Sequence, residues 1–163
     1  MRVDITKEAV ASEALFDYFT AAPNSAVHSW HPPDSKAYFT RLLYIPRNGK
    51  RYHIDLIVQI GKVLYLIEVK DCLSHSYDDV NKLQSILEEF STHSLVRQFA
   101  KQGVVFSTIP EECKIVIAAK ESDSAFINTH NNLAILIAEN ERITPCNLLG
   151  KSLLLDAGSF GEE

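Results

Sequence analysis

His53-Ile54-Asp55-Leu56-Ile57-Val58-Gln59-Ile60-Gly61-Lys62-Val63-Leu64-Tyr65-Leu66-Ile67-Glu68-Val69-Lys70 decides the fold. Two apolar runs flank Gly61-Lys62, the signature of two strands joined by a two-residue loop with glycine first. That loop pairs Ile60 with Val63, which sets Asp55 opposite Glu68 and His53 opposite Lys70. Residues two apart in a strand share a face, so Glu68 and Lys70 point one way while Ile67 and Val69 point the other. Directly opposed side chains have Cβ atoms about 4.5–5.5 Å apart, and like charges there repel. A divalent cation turns that repulsion into chelation, because Mg²⁺ takes one or two carboxylates together with water and phosphate oxygens. A lysine two residues along can stabilise phosphate charge or position a water nucleophile.

Outward from this hairpin, residues 37–45 read as an earlier strand. Pro46-Arg47-Asn48-Gly49 turns it back into residues 51–60, since Asn-Gly supplies two positive-φ positions. With residues 63–70 this gives a three-strand antiparallel meander. Upstream, Thr6 caps a helix over residues 7–22 with Val10, Leu15, Phe16 and Phe19 on its apolar side. Pro23-Asn24 stops it, and residues 23–35 read as loop around Pro32-Pro33-Asp34. Downstream, Val80, Leu83, Leu87 and Phe90 define a helix from about residue 78. It breaks near residues 91–94 and resumes through Leu95, Val96 and Phe99 to end at Gly103. Residues 114–119 and 133–138 read as strands, residues 122–131 as a short helix or loop, and residues 145–155 as a packed tail of open form.

The 163 residues suit a single domain spanning 1–163. The 16 basic and 21 acidic residues give a net charge of −5, which excludes a uniformly basic nucleic-acid binder but leaves room for a local basic strip. No run of about 18 apolar residues exists, so no membrane span is expected. Met1-Arg2-Val3-Asp4 carries no apolar signal core, which points to the cytoplasm. Cys72, Cys113 and Cys146 are odd in number and far apart, which argues against a disulfide framework or zinc cluster.

Asp55, a twelve-residue gap, then Glu68-Val69-Lys70 at the end of an apolar strand resembles the PD-(D/E)xK nuclease superfamily. Archaeal Holliday-junction resolvases and small restriction-endonuclease-like domains share this look. The resemblance covers roughly residues 7–119. It implies an α/β (α+β) restriction-endonuclease-like three-layer core, a mixed sheet flanked by helices in αβββαβ order. It also implies Mg²⁺-dependent (or Mn²⁺-dependent) hydrolysis of phosphodiester bonds, with DNA as the usual substrate. Asp55 and Glu68 match the metal ligands, the Val69 carbonyl a further ligand, and Lys70 the catalytic lysine. Ile54 stands where the family usually has proline. The first-helix glutamate, which the resemblance makes a holder of a second metal or a metal-bound water, is Glu13 or Glu8, and Glu13 is preferred because Phe16 and Phe19 follow it as core positions. Some members also place a polar residue on the helix after the third strand; Lys82 and Gln84 are the candidates, and helical geometry leaves the choice open.

Nucleic-acid binding needs cations near phosphates. Lys36, Arg41, Arg47, Lys50 and Arg51 lie between residues 35 and 54 with no acidic residue among them. Arg47, Lys50 and Arg51 flank the Asn48-Gly49 turn and form a candidate basic finger, set against the alternative of an ordinary exposed hairpin. Lys82 joins them as a contact candidate; Arg97 and Lys101 are weaker ones. His53 reads as a hydrogen-bonded sheet histidine rather than a proton carrier, Trp30 with His28 and His31 as a packed loop, and Cys72 as structural. Nucleases of this size often dimerise to cut both strands, so a homodimer is admitted. The alternative function is a catalytically inactive nuclease-fold binding or assembly module.

Overall fold

Gly61 takes φ 61° and Lys62 stays out of the positive-φ region, which makes the Gly-first loop. The ladder it sets runs from Ile60 opposite Val63 to Leu56 opposite Ile67, as the loop length requires. Asn48 and Gly49, at φ 51° and 76°, form the second expected turn. The computed structural model describes residues 5–31 and 42–158. The elements run α1 (Ile5–Ala21), β1 (Ser25–Trp30), β2 (Tyr44–Arg47), β3 (Lys50–His53), β4 (Leu56–Ile60), β5 (Val63–Cys72), α2 (Tyr77–Glu89), α3 (Thr92–Lys101), β6 (Glu112–Glu121), α4 (Ser124–Thr129), β7 (Ala134–Glu139), β8 (Arg142–Pro145) and α5 (Leu148–Asp156). Among them no helix is long and apolar enough to cross a membrane.

The architecture is mixed α/β. Six strands form one sheet in the order β1-β4-β5-β6-β7-β8, antiparallel on both flanks and parallel across β5, β6 and β7. Alternation along β5 sends Tyr65, Ile67 and Val69 into a core shared with Ala11, Leu15 and Phe19 of α1 and Leu153 and Leu154 of α5. Leu64 and Leu66 point into a second core with Leu83 and Ile86 of α2, Leu95 and Phe99 of α3 and Phe126 of α4. Helices therefore cover both faces, which explains why β4 and β5 are apolar on both sides.

Three expectations need correction. Residues 23–35 contain a strand: β1 pairs antiparallel with β4 at the sheet edge. Its register shifts between Val27 and Ser29, and such a bulge breaks the period-two pattern that would have marked it. The meander in the sheet is accordingly β1, β4 and β5. The Asn48-Gly49 hairpin forms a separate ribbon of β2 and β3, and residues 37–41 lie outside the described residues. Residues 51–60 are two strands, divided at Ile54-Asp55 where the chain leaves the ribbon and enters the sheet. No glycine or proline marks this division, because buried Ile54 keeps the apolar pattern running. The open tail resolves into β8 and α5.

The ribbon is held down. The Gln102 side chain accepts from the Tyr44 amide at 2.9 Å and donates to its carbonyl at 2.8 Å, while Ile45 is fully buried in the second core. The start of α5 is equally fixed, with Asn147 accepting from the Gly150 amide at 2.9 Å and donating to the Leu133 carbonyl at 2.8 Å. A Cβ at Gly150 would stand 2.7 Å from the Ile135 carbonyl oxygen. Glycine-to-alanine in an open helix gains about 1 kcal/mol. Here overpacking of about 1–3 kcal/mol opposes it, so Gly150→Ala should lower the unfolding free energy by about 1 kcal/mol in urea denaturation. A gain in stability would show that α5 sits farther from β7.

Candidate functional site

β4 stops at Leu56, opposite Ile67, while β5 runs on to Cys72 beside β6. The β4-side edge of residues 68–72 thus loses its strand partner, and Asp55 fills the gap. Its Oδ2 accepts from the Val69 amide at 2.8 Å, and its own carbonyl accepts from the His31 amide at 2.8 Å. The amide and carbonyl of a strand residue lie on the same edge, so the Val69 carbonyl opens into this gap beside Asp55.

Alternation along β5 sends Glu68 and Lys70 toward α2, and Val69 and Asp71 toward α1. Glu68 is only 7% exposed. Its Oε2 accepts from the Tyr52 hydroxyl at 2.6 Å. Burial first, then the Asp55 charge and a side-chain hydrogen bond with Asp55, push the Glu68 carboxyl well above the usual range; the Tyr52 hydrogen bond opposes them. Burial, then Glu68, raise the Tyr52 hydroxyl and keep it a donor. Lys70 Nζ stands 3.7 Å from Asp79 Oδ2 on α2. Burial would lower the Lys70 amine, but the carboxylates of Asp79, Glu8, Asp55 and Glu68 outweigh it and raise it. Asp79 is 4% exposed, and its Oδ2 has no hydrogen-bond partner. Burial raises its carboxyl against the opposing pull of Lys70 and Lys82. Glu8, in the first turn of α1, is pushed up to about 7 by burial and then by Asp55.

Glu8, Asp55, Glu68 and Asp79 therefore surround one lysine, a concentration of acid that draws cations. Among the described residues, no three His, Cys, Asp or Glu side chains form a ready-made metal cluster. Asp55 and Glu68, with the Val69 carbonyl, instead make an all-oxygen set that fits a hard cation keeping part of its water shell. The Asp55 charge beside buried Glu68, which raises the Glu68 carboxyl, is the observation that favours such an ion.

Asp55, Glu68, Val69 and Lys70 lie at one end of β5, but the ladder stops at Leu56 opposite Ile67, so Asp55 reaches the Val69 amide from beyond it, and His53 pairs with Tyr44 in the ribbon instead of with Lys70. Glu13 does not join them; it is exposed, and Glu8 reaches the cluster instead. The phase of α1 explains this, since buried Ala11, Ser12 and Leu15 lie three, four and seven residues after Glu8. Lys82 faces the site with Nζ 4.9 Å from the Tyr52 ring centroid, whereas Gln84 lines a cavity of about 430 Å³ with Tyr65, Cys113 and Leu153. In the basic strip, Arg47 pairs with Glu89 at 3.1 Å and the Arg51 guanidinium lies 4.5 Å from the Tyr44 ring centroid. Lys50 is exposed at the turn, and Lys36 and Arg41 lie outside the described residues. His53 meets the Leu43 carbonyl at 3.1 Å, the contact of a hydrogen-bonded sheet histidine. His28 and Trp30 belong to β1, bonded to Gln59 at 2.7 Å and to Ser12 at 2.9 Å.

Sequence reading missed Asp79 and Tyr52. Asp79 had a signal: it precedes Leu83 by four residues and Ile86 by seven, an acid on the buried stripe of α2. Tyr52 had none, because it reaches Glu68 only through the separate ribbon. Comparison with known protein families, curated proteins and solved structures finds no match to the chain.

The raised Glu8 carboxyl carries a sign. A folded-state value above the usual 4.5 means that Glu8 supports the fold below about pH 4.5 and loses that support as pH rises through about 7. Glu8→Gln, a neutral replacement, should gain on wild type progressively over that interval. Urea denaturation in chelator at pH 5 and pH 8 measures the difference; a constant difference would remove Glu8 from the field of Asp55.

Proposed function

We propose that the protein is a divalent-metal-dependent nuclease that hydrolyses phosphodiester bonds of DNA, with the restriction-endonuclease-like PD-(D/E)xK site at Asp55, Glu68 and Lys70. The observation that carries this reading is buried Glu68 beside half-buried Asp55 at the open edge of β5, with Lys70 one face-step away. The order α1, β1, β4, β5, α2 with α3, then β6 supports it, the ribbon counting as an insertion between the first two sheet strands. Asp55, Glu68 and the Val69 carbonyl would hold Mg²⁺ or Mn²⁺. When bound, such an ion supplies Lewis-acid neutralisation of the charge that develops on phosphate.

The chain's own groups divide the remaining work. The Val69 amide holds Asp55 in place. Asp79 stands behind Lys70 and favours its charged form, so the amine can orient the attacking water and stabilise negative charge in the transition state. Glu8 can hold a proton at its carboxyl near neutral pH. Lys50 is the exposed cation best placed on the ribbon for phosphate, since Arg47 is engaged by Glu89.

Incubation with linear, circular, single-stranded and branched DNA, in Mg²⁺, Mn²⁺ or chelator, tests the reading. Metal-dependent cleavage of at least one form is expected. Cation and DNA binding without cleavage would favour the inactive binding module instead. Lys70→Ala should lose cleavage and keep Mn²⁺ binding, because lysine supplies charge rather than ligation. Asp55→Ala and Glu68→Ala should lose both. A Lys70→Ala protein cutting at the wild-type rate would sink the assignment.

Replacing Lys50 and Arg51 together with alanine should weaken DNA binding and reduce the salt slope by about one unit per removed phosphate contact. Binding isotherms at several salt concentrations measure it, and an unchanged slope would return the ribbon to an ordinary exposed hairpin.

A further inference from the structure

The cluster at the end of β5 receives a hydroxyl from outside the main sheet. Tyr52 belongs to β3, in the two-stranded ribbon, yet its hydroxyl lies 2.6 Å from Glu68 Oε2. A phenol has a single proton to donate. It therefore engages one oxygen of Glu68 and leaves Oε1 as the oxygen free of the ribbon. Two supports hold the ring in place. The Gln102 amide grips both backbone groups of Tyr44 in the neighbouring strand, and Lys82 on α2 lies over the ring at 4.9 Å from its centroid. Arg47 adds a tie from the ribbon to Glu89 at the end of α2. The hydroxyl is thus presented from a braced support to a carboxylate that is nine-tenths buried.

We infer that Tyr52 is a positioning residue for the candidate cation site: its hydroxyl fixes the Glu68 carboxylate in the orientation that Mg²⁺ or Mn²⁺ binding requires. This rests on the metal-site reading proposed above and adds to it a residue from a separate structural unit. Carboxylates that ligate metals are commonly held by a hydrogen bond to the oxygen or edge not used by the ion, and removing such a partner typically weakens metal affinity about 10–100-fold. A merely structural role predicts something else. There the hydroxyl only satisfies a buried acceptor, so its loss would lower stability and leave cation affinity alone. The arrangement also places exposed Lys50 and Arg51 within two residues of Tyr52 on one strand, so phosphate contacts and cation positioning share a support.

Calorimetric titration of the full chain with Mn²⁺, for wild type, Tyr52→Phe and Asp55→Ala, tests the inference, with thermal melts in chelator recording fold integrity. Tyr52→Phe should bind Mn²⁺ about tenfold or more weakly than wild type, while Asp55→Ala should abolish binding. Equal Mn²⁺ affinity in Tyr52→Phe and wild type, with binding lost in Asp55→Ala, overturns the role of Tyr52 and leaves the metal site standing. Absence of binding in wild type overturns both. Should Tyr52→Phe fail to fold, 3-fluorotyrosine at position 52 of the otherwise native chain gives a second measurement. Its ¹⁹F resonance should move on Mg²⁺ addition and saturate with the Mg²⁺ affinity measured by calorimetry; an unmoved resonance on a Mg²⁺-bound protein also overturns the inference.

Discussion

The unequal length of two paired strands governs the site. β4 ends at Leu56, five residues before β5 does on the facing strand, so the Val69 amide has no ladder partner on that side. A buried amide without a partner costs roughly 1–3 kcal/mol. The next residue of the incoming chain, Asp55, meets that need with its side chain at 2.8 Å. A carboxylate is thereby fixed at the strand end, next to a second one that alternation has already turned toward α2. What begins as backbone satisfaction ends as an acidic pair.

That pair imposes demands on its surroundings. Glu68 is buried beside Asp55, and burial together with the Asp55 charge disfavours charge on Glu68. Tyr52 offers Glu68 a hydrogen bond, Lys70 supplies one positive charge, and Asp79 and Glu8 then compete for that same lysine. The result is over-supplied with acid: Asp79 Oδ2 is buried with no hydrogen bond even though Lys70 stands 3.7 Å away. Structural ion pairs are usually better matched than this. Two buried and two half-buried carboxylates thus face Lys70, with Lys82 acting on Asp79 from α2.

Much of this was legible in the chain, and the parts that were not have physical causes. Gly61-Lys62 determines the β4–β5 register because a two-residue loop leaves no slack, and Ser91 marks the break between α2 and α3 by accepting the Ser94 amide as a helix cap. β1 escaped because a bulge interrupts its alternation and its polar residues serve neighbours, Ser29 accepting from the Leu43 amide and His28 meeting Gln59. The division at Ile54-Asp55 escaped because both halves are extended and the buried isoleucine hides the seam. Glu13 was preferred over Glu8 by taking Phe16 as a core position; Phe16 instead stacks on Trp30 at 4.0 Å and is only partly buried, so the helix phase is set by Leu15 and Phe19. A single side chain at a helix flank was enough to move the first-helix acid by more than a turn.

The location of the site at this end of the sheet follows from topology. β5 is the strand at which pairing changes from antiparallel to parallel, so the chain enters β4 and leaves β5 at the same end. The β3–β4 connection brings Asp55 there and the exit from β5 brings α2 with Asp79. Lys7 of α1 joins Glu121 at the end of β6 with a 2.5 Å ion pair, which holds the first turn of α1, and Glu8 with it, at that end too. Four separate stretches of chain thus deliver acids to one place. At the other end, β4 and β5 are closed by their own tight turn, and among the described residues the cavity beside Tyr65 and Leu153 gathers no comparable set of buried acids. In open α/β sheets the carboxyl ends of parallel strands are where ligand chemistry concentrates, and here the early end of β4 exposes one of those carboxyl ends to a side chain instead of a strand.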